Sequence, residues 1–369
     1  MKILLTINDI SITGGAERVC VNLANALSEL GHQVSVLSFY RANAILPYEL
    51  NEGVKLHIWH NIAEAEYAKK QCRNIFSKMY HKNLYKFVLS LRVWKAYGQQ
   101  DVILVSDWTF FPFFKHRRCL YIKIQHSVQQ RYAKRNNLFD MIVFLTYTQA
   151  KAWQNYHKNI KVIPNFLPFI SQQNTDSNQH RILSVGRLSA EKGFLRLIDI
   201  WEKVQERIKA GSESNQENNL ESWQLIIVGS GILQEQIESK IKEKNLQHTI
   251  TLKPFTKDIE SEYLNASIYA MTSHFEGFGM VLVEASSYAL PCIAFDIAAG
   301  PSDIIESGVS GYLIEDNDLQ DYADKLLMLM SDKEKRESIG LQAKQRVKER
   351  FSKEAIMPLW EKVFRDESV

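Results

Sequence analysis

Short, continuously apolar runs alternate with helix-like segments along this chain of 369 residues, and that alternation restricts its fold more than any other feature. Runs without a polar face are typical of parallel strands covered by helices on both sides. In the first half we predict strands at residues 2–7, 33–39, 54–59, 101–106, 119–125 and 141–146. With the helical patterns between them, they predict one doubly wound α/β domain.

A wholly polar segment, SQQNTDSNQH at residues 171–180, interrupts the pattern and is predicted to be a linker. The alternation then restarts, with predicted strands at residues 181–186, 223–229, 249–255, 267–273 and 291–296. We therefore expect two Rossmann-like domains, residues 1–170 and 181–351. We also expect residues 352–369 to form a helix that packs back toward the first domain, because apolar residues recur at helical spacing: Ile356, Leu359, Trp360 and Val363.

The composition is that of an ordinary globular protein, with 45% hydrophobic and 24% charged residues, which argues against disordered and fibrous classes. The four cysteines are scattered without a metal-binding spacing, so a reduced, cytoplasmic protein is expected. No apolar run approaches the roughly 18 residues that a membrane-spanning helix requires. The opening MKILLTIND turns polar at Asn8, too early for a signal peptide, and is predicted to be the first strand.

Charge is divided unevenly along the chain. Residues 1–170 carry 22 Lys and Arg against 10 Asp and Glu, whereas the remainder carries 23 against 32. Residues 67–98 hold eight basic residues and no acidic one, interleaved with aromatic residues: Phe76, Tyr80, Tyr85, Phe87 and Trp94. This segment could rest on an anionic inner-membrane surface, form a solvated helix packed on the sheet, or bind nucleic acid. No recognised nucleic-acid module accompanies it, so nucleic acid is not an expected partner.

Candidate binding residues follow predicted strands, where ligands bind in open α/β sheets. In the first half, Gly14 and Gly15 open a helix; glycine lets the backbone approach a ligand, and a helix start attracts anions. His126 stands at the end of the strand 119–125 and is a candidate catalytic residue. The alternatives are an ordinary turn for the glycines and a structural role for the histidine.

In the second half, Arg187 and Lys192 lie just beyond the predicted strand 181–186. The forked guanidinium of an arginine and the ammonium of a lysine at a strand-to-helix junction suit a diphosphate ligand. The alternative is that both are solvated surface cations. Gly229 belongs to a further glycine-bearing turn, VGSG, which lacks the third glycine of a dinucleotide fingerprint, so NAD binding is poorly supported.

The segment SHFEGFGMVLVEA, residues 273–285, holds two glutamates eight positions apart. We predict Glu276 in a loop and Glu284 in the second turn of the following helix, so they do not form one acidic face. Between them lie the backbone N–H groups of the helix start, those of Phe278, Gly279, Met280 and Val281. Donors flanked by acceptors suit a ligand that carries both phosphates and sugar hydroxyls.

Asp316 and Asp318 form an Asp-x-Asp pattern, whose paired carboxylates could hold a metal ion. They precede the predicted helix LQDYADKLLMLM, and capping of that helix is the better explanation. No metal site is therefore predicted.

Taken together, these segments closely resemble family four of the retaining glycosyltransferases. The most specific match is EGFGMVLVE, residues 276–284, the family's Glu-x7-Glu signature. The others are the early Gly-Gly-Ala-Glu loop, GHQV (31–34), VIPN (162–165), GRLSAEKG (186–193), VGSG (228–231) and GVSGYL (308–313). The resemblance covers nearly the whole chain and implies the GT-B fold, in which two Rossmann-like domains face a central cleft.

The resemblance implies a role for each candidate residue. Glu284 is expected to hold the ribose hydroxyls of a nucleotide-sugar, Glu276 to contact the donor sugar, and His126 to lie near the reacting carbon. The donor diphosphate is expected to meet cations and backbone amides, those of Arg187, Lys192, Gly15 and the stretch Gly279 to Val281.

The resemblance further implies a donor that is a UDP-linked hexose or N-acetylhexosamine. The acceptor is expected to be a saccharide or lipid-linked saccharide of bacterial lipopolysaccharide, capsule or oligosaccharide synthesis, met at the inner membrane face. No metal and no other cofactor are expected, since fixed cations and helix amides can stabilise the leaving diphosphate. The alternatives are a nucleotide-sugar epimerase or phosphorylase on the same fold, or a catalytically silent subunit of a transferase complex.

Overall fold

The computed structural model describes residues 1–71, 74, 79–80, 84–127, 132–212 and 219–366. The chain divides into two compact units. Unit 1 comprises Met1–Pro168 together with Lys353–Val369, and unit 2 comprises Phe169–Ser352. Of the helices described, none is long and apolar enough to cross a membrane.

Unit 1 is built on a parallel sheet of seven strands: β1 (Lys2–Asp9), β2 (Gln33–Tyr40), β3 (Lys55–His60), β4 (Val102–Val105), β5 (Leu120–Gln125), β6 (Met141–Phe144) and β7 (Ile160–Val162). Their order is β3-β2-β1-β4-β5-β6-β7, so the direction of winding reverses between β1 and β4, a point where open α/β sheets bind ligands. The described α-helices of this unit are α1 (Gly15–Glu29), α2 (Glu64–Gln71), α3 (Tyr85–Ala96), α4 (Tyr147–Trp153) and α12 (Lys353–Asp366).

The terminal helix α12 packs against α1 within unit 1. His32 Nε2 lies 2.6 Å from Glu361 Oε1, and Lys353 Nζ lies 2.8 Å from Glu29 Oε2. Three of the four apolar residues singled out in the sequence are buried, namely Ile356, Trp360 and Val363. Leu359 is 40% exposed, because the face of α12 that packs against unit 1 is narrower than the apolar face indicated by the sequence.

Unit 2 is built on a second parallel sheet, with strands β8 (Arg181–Val185), β9 (Gln224–Val228), β10 (Ile250–Lys253), β11 (Ile268–Met271), β12 (Cys292–Asp296) and β13 (Gly311–Glu315). Their order is β10-β9-β8-β11-β12-β13. The α-helices are α5 (Phe194–Ser212), α6 (Gln234–Glu243), α7 (Ile259–Leu264), α8 (Met280–Ser287), α9 (Pro301–Ile304), α10 (Leu319–Ser331) and α11 (Lys333–Phe351).

Continuous burial explains why the strands were visible in the sequence. All four residues of β4 and all four of β11 are buried, as expected of strands covered on both faces. Helix α5 buries one stripe against the sheet, comprising Leu197, Trp201, Val204 and Ile208. Each such side chain contributes about 1.5–3 kcal/mol to folding.

The structure corrects several sequence-based boundaries. Strands β7 and β13 were not predicted, because neither is an unbroken apolar run: Lys161 lies inside β7, and Gly311 and Glu315 bound β13. The strand predicted at 267–273 ends at Met271, and Thr272 and Ser273 leave the ladder to support neighbouring loops. The predicted linker 171–180 has no helix or strand, but it is docked on unit 2, where Thr175 N donates to Tyr288 O at 2.8 Å.

Candidate functional site

An ion pair joins two of the predicted site residues at the carboxyl ends of β8 and β11. Lys192 Nζ lies 2.7 Å from Glu276 Oε1, and the same oxygen accepts a 2.7 Å hydrogen bond from Ser273 Oγ. The side chain of Glu276 is 9% exposed and that of Lys192 is 24% exposed. Because an ammonium group has three donors, Lys192 can hold Glu276 and still meet an anionic ligand.

Gly193 fixes the turn that presents Lys192. Its φ of +67° lies in the left-handed region, and a Cβ there would come within 1.9 Å of Thr272 O. Thr272 Oγ1 in turn donates to Gly193 O at 3.0 Å, and His274 N donates to Glu191 O at 2.8 Å. These contacts lock the loop after β8 to the loop after β11, which brings Lys192 and Glu276 together.

Arg196 supports the same loop and was not singled out from the sequence. Its buried guanidinium donates from Nε to Thr272 O at 2.6 Å, pairs with Asp316 at 2.7 Å and lies 4.1 Å from the centroid of the Phe295 ring. The only sequence signal was a cation within the apolar run FLRLIDI, at a position that the helical period assigns to the core. Arg196 is therefore a positioning residue for the segment that carries Glu276.

Arg187 lies exposed in the loop after β8, as predicted. A hydrogen bond from Ser189, helped by the positive charges of Arg187 and Lys192, holds the pKa of Glu191 below its usual value. Both predicted cations thus act on the same short loop. Both lie beyond the end of a strand, where open α/β sheets bind ligands.

The start of helix α8 supplies backbone donors. Gly279 caps the helix with a φ of +96°, and the N–H groups of Met280 and Val281 come first in a helix, where no carbonyl one turn earlier can accept them. Phe278 is 3% exposed, and its ring packs edge-on against Phe351 at 5.5 Å. Phe278 can therefore contribute only its backbone to a ligand.

Glu284 lies in the second turn of α8, as predicted, and is only 8% exposed. Tyr263 Oη donates to Glu284 Oε2 at 3.0 Å, and the Tyr263 ring stacks on Tyr288 with centroids 5.3 Å apart. Tyr263 orients the carboxylate and was missed by sequence reasoning, because 21 residues separate it from Glu284.

Gly229 has a packing reason for its identity. A Cβ at Gly229 would lie 1.9 Å from Gly186 O, and one at Gly231 would lie 2.3 Å from Leu188 O. The turn after β9 is thus pressed against the loop after β8. Close backbone packing explains these glycines, and a part for Gly229 in donor binding stays a prediction.

In unit 1, Gly14 is the N-cap of α1 and Gly15 its first residue. Tyr48 Oη donates to Gly14 O at 3.2 Å. A Cβ at Gly15 would meet nothing within 4 Å, so packing does not require glycine there. Close approach of a ligand to this helix start stays a prediction.

His126 follows β5 directly and is partly buried. Burial, with repulsion from Lys123, lowers the pKa of His126 to about 4, so the imidazole is neutral at pH 7. Its Nε2 atom is buried and has no hydrogen-bond partner within the described part of the chain. Lys123 itself, 1% exposed in the middle of β5, was not singled out from the sequence.

The Asp-x-Asp pattern has the structural explanation that was predicted. Asp318 is the N-cap of α10 and accepts hydrogen bonds from the N–H groups of Gln320 and Asp321. Asp316 pairs with Arg196. Over the ranges that the structure describes, there is no group of three or more His, Cys, Asp or Glu side chains placed to hold a metal ion.

The basic segment 67–98 is described in part; residues 72–73, 75–78 and 81–83 lie outside the described residues, and with them Phe76. In the described part, helix α3 buries Leu89, Ser90 and Val93 against the sheet. Large apolar side chains nearby are exposed, namely Met79, Tyr80, Leu84, Phe87 and Phe113. The segment is thus both packed on the sheet and apolar at its surface.

Comparison with known proteins accounts for both halves of the chain. Residues 165–346 match the family model described as Glycosyl transferases group 1, and residues 13–168 match the model described as Glycosyltransferase Family 4. The amylovoran biosynthesis glycosyltransferase AmsD of Erwinia amylovora is 26% identical, over 97% of this chain and 98% of its own length. A Campylobacter jejuni α-1,4-N-acetyl-D-galactosaminyltransferase, whose name gives an undecaprenol-diphosphate-linked GalNAc saccharide as its substrate, is 25% identical, over 95% and 94%.

Solved structures match along the whole chain. An S. aureus TarM mutant in complex with UDP has a TM-score of 0.78 at 17% identity, covering 99% of this chain and 100% of that one. Anabaena Alr3699/HepE in complex with UDP and glucose has a TM-score of 0.75 at 20% identity, covering 98% and 99%. These likenesses confirm the predicted fold class, α/β with two doubly wound parallel sheets of the GT-B kind.

Proposed function

Because this chain belongs to the family 4 glycosyltransferases and shares their GT-B fold, we propose that it transfers a hexose or N-acetylhexosamine from a UDP-sugar to a saccharide or lipid-linked saccharide, with retention of configuration. The observation that carries this proposal is the site of unit 2. There Glu276 is held by Lys192, Glu284 is held by Tyr263, and a helix start lies between the two carboxylates in sequence.

In this proposal each part of the donor meets matching chemistry. The ribose hydroxyls donate to the Glu284 carboxylate, and the diphosphate lies at the amides of Met280 and Val281, with Arg187 and Lys192 as counter-charges. Glu276 accepts from the sugar hydroxyls. The structures of TarM and HepE in complex with UDP support a uridine nucleotide.

The proposed reaction needs charge stabilisation at two places. The bond between the anomeric carbon and the β-phosphate oxygen breaks with its electron pair on the phosphate, and the acceptor oxygen bonds to the same face of that carbon. The acceptor proton passes to the leaving phosphate. Lys192 and the helix amides stabilise the developing negative charge without a metal ion. Neutral His126, proposed to contact the donor sugar from unit 1, adds no positive charge near the oxocarbenium-like carbon.

The proposed acceptor belongs to bacterial surface glycan synthesis. One relative is named for amylovoran biosynthesis, and two others for transfer to poly(ribitol-phosphate) and to an undecaprenol-linked saccharide. We further propose that the segment 67–98 rests on the anionic inner-membrane surface with its exposed apolar side chains down.

Vesicle flotation tests the membrane contact. The protein should bind vesicles containing phosphatidylglycerol more strongly than phosphatidylcholine vesicles, and a Leu84→Ser, Phe87→Ser double variant should lose this binding. Ile232→Ser is the matched control, because Ile232 is 91% exposed in unit 2. Equal binding to both vesicle types contradicts the contact.

A thermal-shift screen with EDTA present tests the donor and the absence of a metal requirement. Among UDP, GDP, ADP and CMP, only UDP should raise the melting temperature; a ligand at 100 times its Kd adds about 2.7 kcal/mol of stability. Lys192→Gln should abolish the shift, and Lys242→Gln, an exposed cation on α6, should retain it. Stabilisation by another nucleotide alone, or by UDP only with a divalent metal, contradicts the proposal.

A further inference from the structure

Three cationic side chains surround a single aromatic ring in unit 1. Lys86 Nζ, Lys123 Nζ and the Arg135 guanidinium carbon lie 5.1, 5.4 and 4.5 Å from the centroid of the Phe111 ring. Lys123 also lies 3.7 Å from the centroid of Trp108, and Lys86 donates to Trp108 O at 2.8 Å. The three charges therefore converge on one place in the fold.

Asp107 and Glu64 attract Lys86 from beyond ion-pair distance, but the ion pairs of the described residues do not include this cluster. Lys86, Lys123 and Arg135 take part in none of them. In unit 1 the residues outside the described ranges include one acidic residue, Glu367. Burial, with repulsion from Arg135 and Lys86 and against the attraction of Asp107, lowers the pKa of Lys123 to about 7. Like charges this close favour a bound anion.

Asp107 does not neutralise the cluster, although it lies nearby. Its carboxylate is buried and already accepts hydrogen bonds from Thr6 Oγ1 and from the N–H groups of Thr109 and Phe110. Lys123 reaches only its backbone, donating to Asp107 O at 2.9 Å. Burial raises the pKa of Asp107, against the hydrogen bonds and the attraction of Lys123 that lower it.

The cluster lies at the ligand-binding edge of the unit 1 sheet. Trp108 follows β4, and Lys123 lies in β5 three residues before His126, whose pKa it helps to lower. Arg135 is exposed and Lys86 and Trp108 are partly exposed, so a ligand can reach the cluster. Because Lys123 acts on His126, we expect an anion held here to lie in the neighbourhood of His126.

We propose that Lys86, Lys123 and Arg135 form a subsite for a phosphate group of the acceptor. This rests on the proposed function, in which His126 lies at the donor sugar, and it restricts the acceptor to a saccharide or polyol that carries a phosphate or diphosphate near the reacting hydroxyl. The phosphate can come from a lipid-linked diphosphate or from a water-soluble polyol phosphate.

Calorimetric titration of the full chain tests the subsite, with pyrophosphate, farnesyl diphosphate and glycerol 3-phosphate as probes. UDP is held in excess so that the cations assigned to the donor are occupied. Arg135→Gln and Lys86→Gln should each weaken pyrophosphate binding about tenfold, the usual loss for a charge-assisted hydrogen bond. Lys134→Gln, the exposed neighbour of Arg135, is the matched control and should bind as the wild type does.

Tighter binding of farnesyl diphosphate identifies a lipid-linked source, and tighter binding of glycerol 3-phosphate identifies a polyol phosphate.

The outcomes separate this inference from the proposed function. Unchanged pyrophosphate affinity in both variants, or an equal loss in Lys134→Gln, overturns the subsite. Weaker binding of UDP itself in Arg135→Gln and Lys86→Gln shows that the cluster serves the donor, which also overturns it. If UDP fails to bind the wild type while the variants still lose pyrophosphate, the donor assignment fails and the anion site stands.

Discussion

Replacing Glu284 by Gln tests the assignment of the ribose site. The carboxylate is 8% exposed and accepts a hydrogen bond from Tyr263. A carboxylate has about four acceptor sites, enough to receive two ribose hydroxyls as well. A hydrogen bond to a charged group is worth about 1.5–3 kcal/mol. Glutamine loses the charge and one acceptor oxygen, so we expect a loss of about 2–4 kcal/mol, or roughly 30- to 1,000-fold in the Kd for UDP.

Two controls make this measurement specific. Tyr263→Phe keeps the carboxylate but removes the hydroxyl that orients it, so UDP binding should weaken only about 2- to 10-fold. Titrating wild type and Glu284→Gln with UDP and with 2′,3′-dideoxy-UDP completes a double-mutant cycle. The variant should lose far less affinity for the dideoxy ligand, which has no hydroxyl to donate. Equal losses for both ligands, or an unchanged Kd for UDP, would refute the ribose assignment.

Three further predictions concern stability. Gly193→Ala should lower the free energy of unfolding in urea by about 2–4 kcal/mol, because alanine is strained at this φ and its Cβ would strike Thr272 O. Gly15→Ala is the control: open space surrounds Gly15, so stability should change by under about 0.5 kcal/mol. Similar values for the two variants would contradict the packing argument. Lys123 keeps its proton up to about pH 10.4 in the unfolded chain, whereas its pKa in the folded protein is about 7. Between pH 7 and 9 the unfolded state therefore binds more protons, so the wild type should gain stability relative to Lys123→Met by up to about 1.4 kcal/mol per pH unit. A stability difference between the two proteins that does not change over this range would contradict the prediction. Asp318→Ala should lose about 1 kcal/mol by removing the N-cap of α10, and no loss would leave the capping explanation without support.

The alternation of apolar runs was enough to predict two doubly wound sheets, because parallel strands covered on both faces have to be apolar throughout. Strands β7 and β13 were missed because they are not unbroken apolar runs: Lys161 interrupts β7, and Gly311 and Glu315 bound β13. Strand ends were predicted too long where polar residues such as Thr272 leave the ladder to support a loop.

Residues of the site were predictable where a local motif carries them. Glu276 and Glu284 lie in one signature segment, and Lys192 follows a strand at a recognisable junction. Their partners depend on packing between distant segments: Lys192 and Glu276 are 84 residues apart, and Tyr263 reaches Glu284 from another helix. Buried cations such as Arg196 and Lys123 gave no signal except an interruption of an apolar run.

The most direct test of the central claim is proton NMR of the sugar released or transferred from an α-linked UDP-sugar that stabilises the protein, with EDTA present. Retaining, metal-free transfer predicts that the α-anomer appears first, with one UDP per sugar, and that Glu276→Gln stops both signals. Appearance of the β-anomer first contradicts retention. Conversion of the donor without UDP release, as an epimerase would give, or no UDP release from any UDP-hexose or UDP-N-acetylhexosamine, contradicts the assignment of this chain as a UDP-sugar transferase.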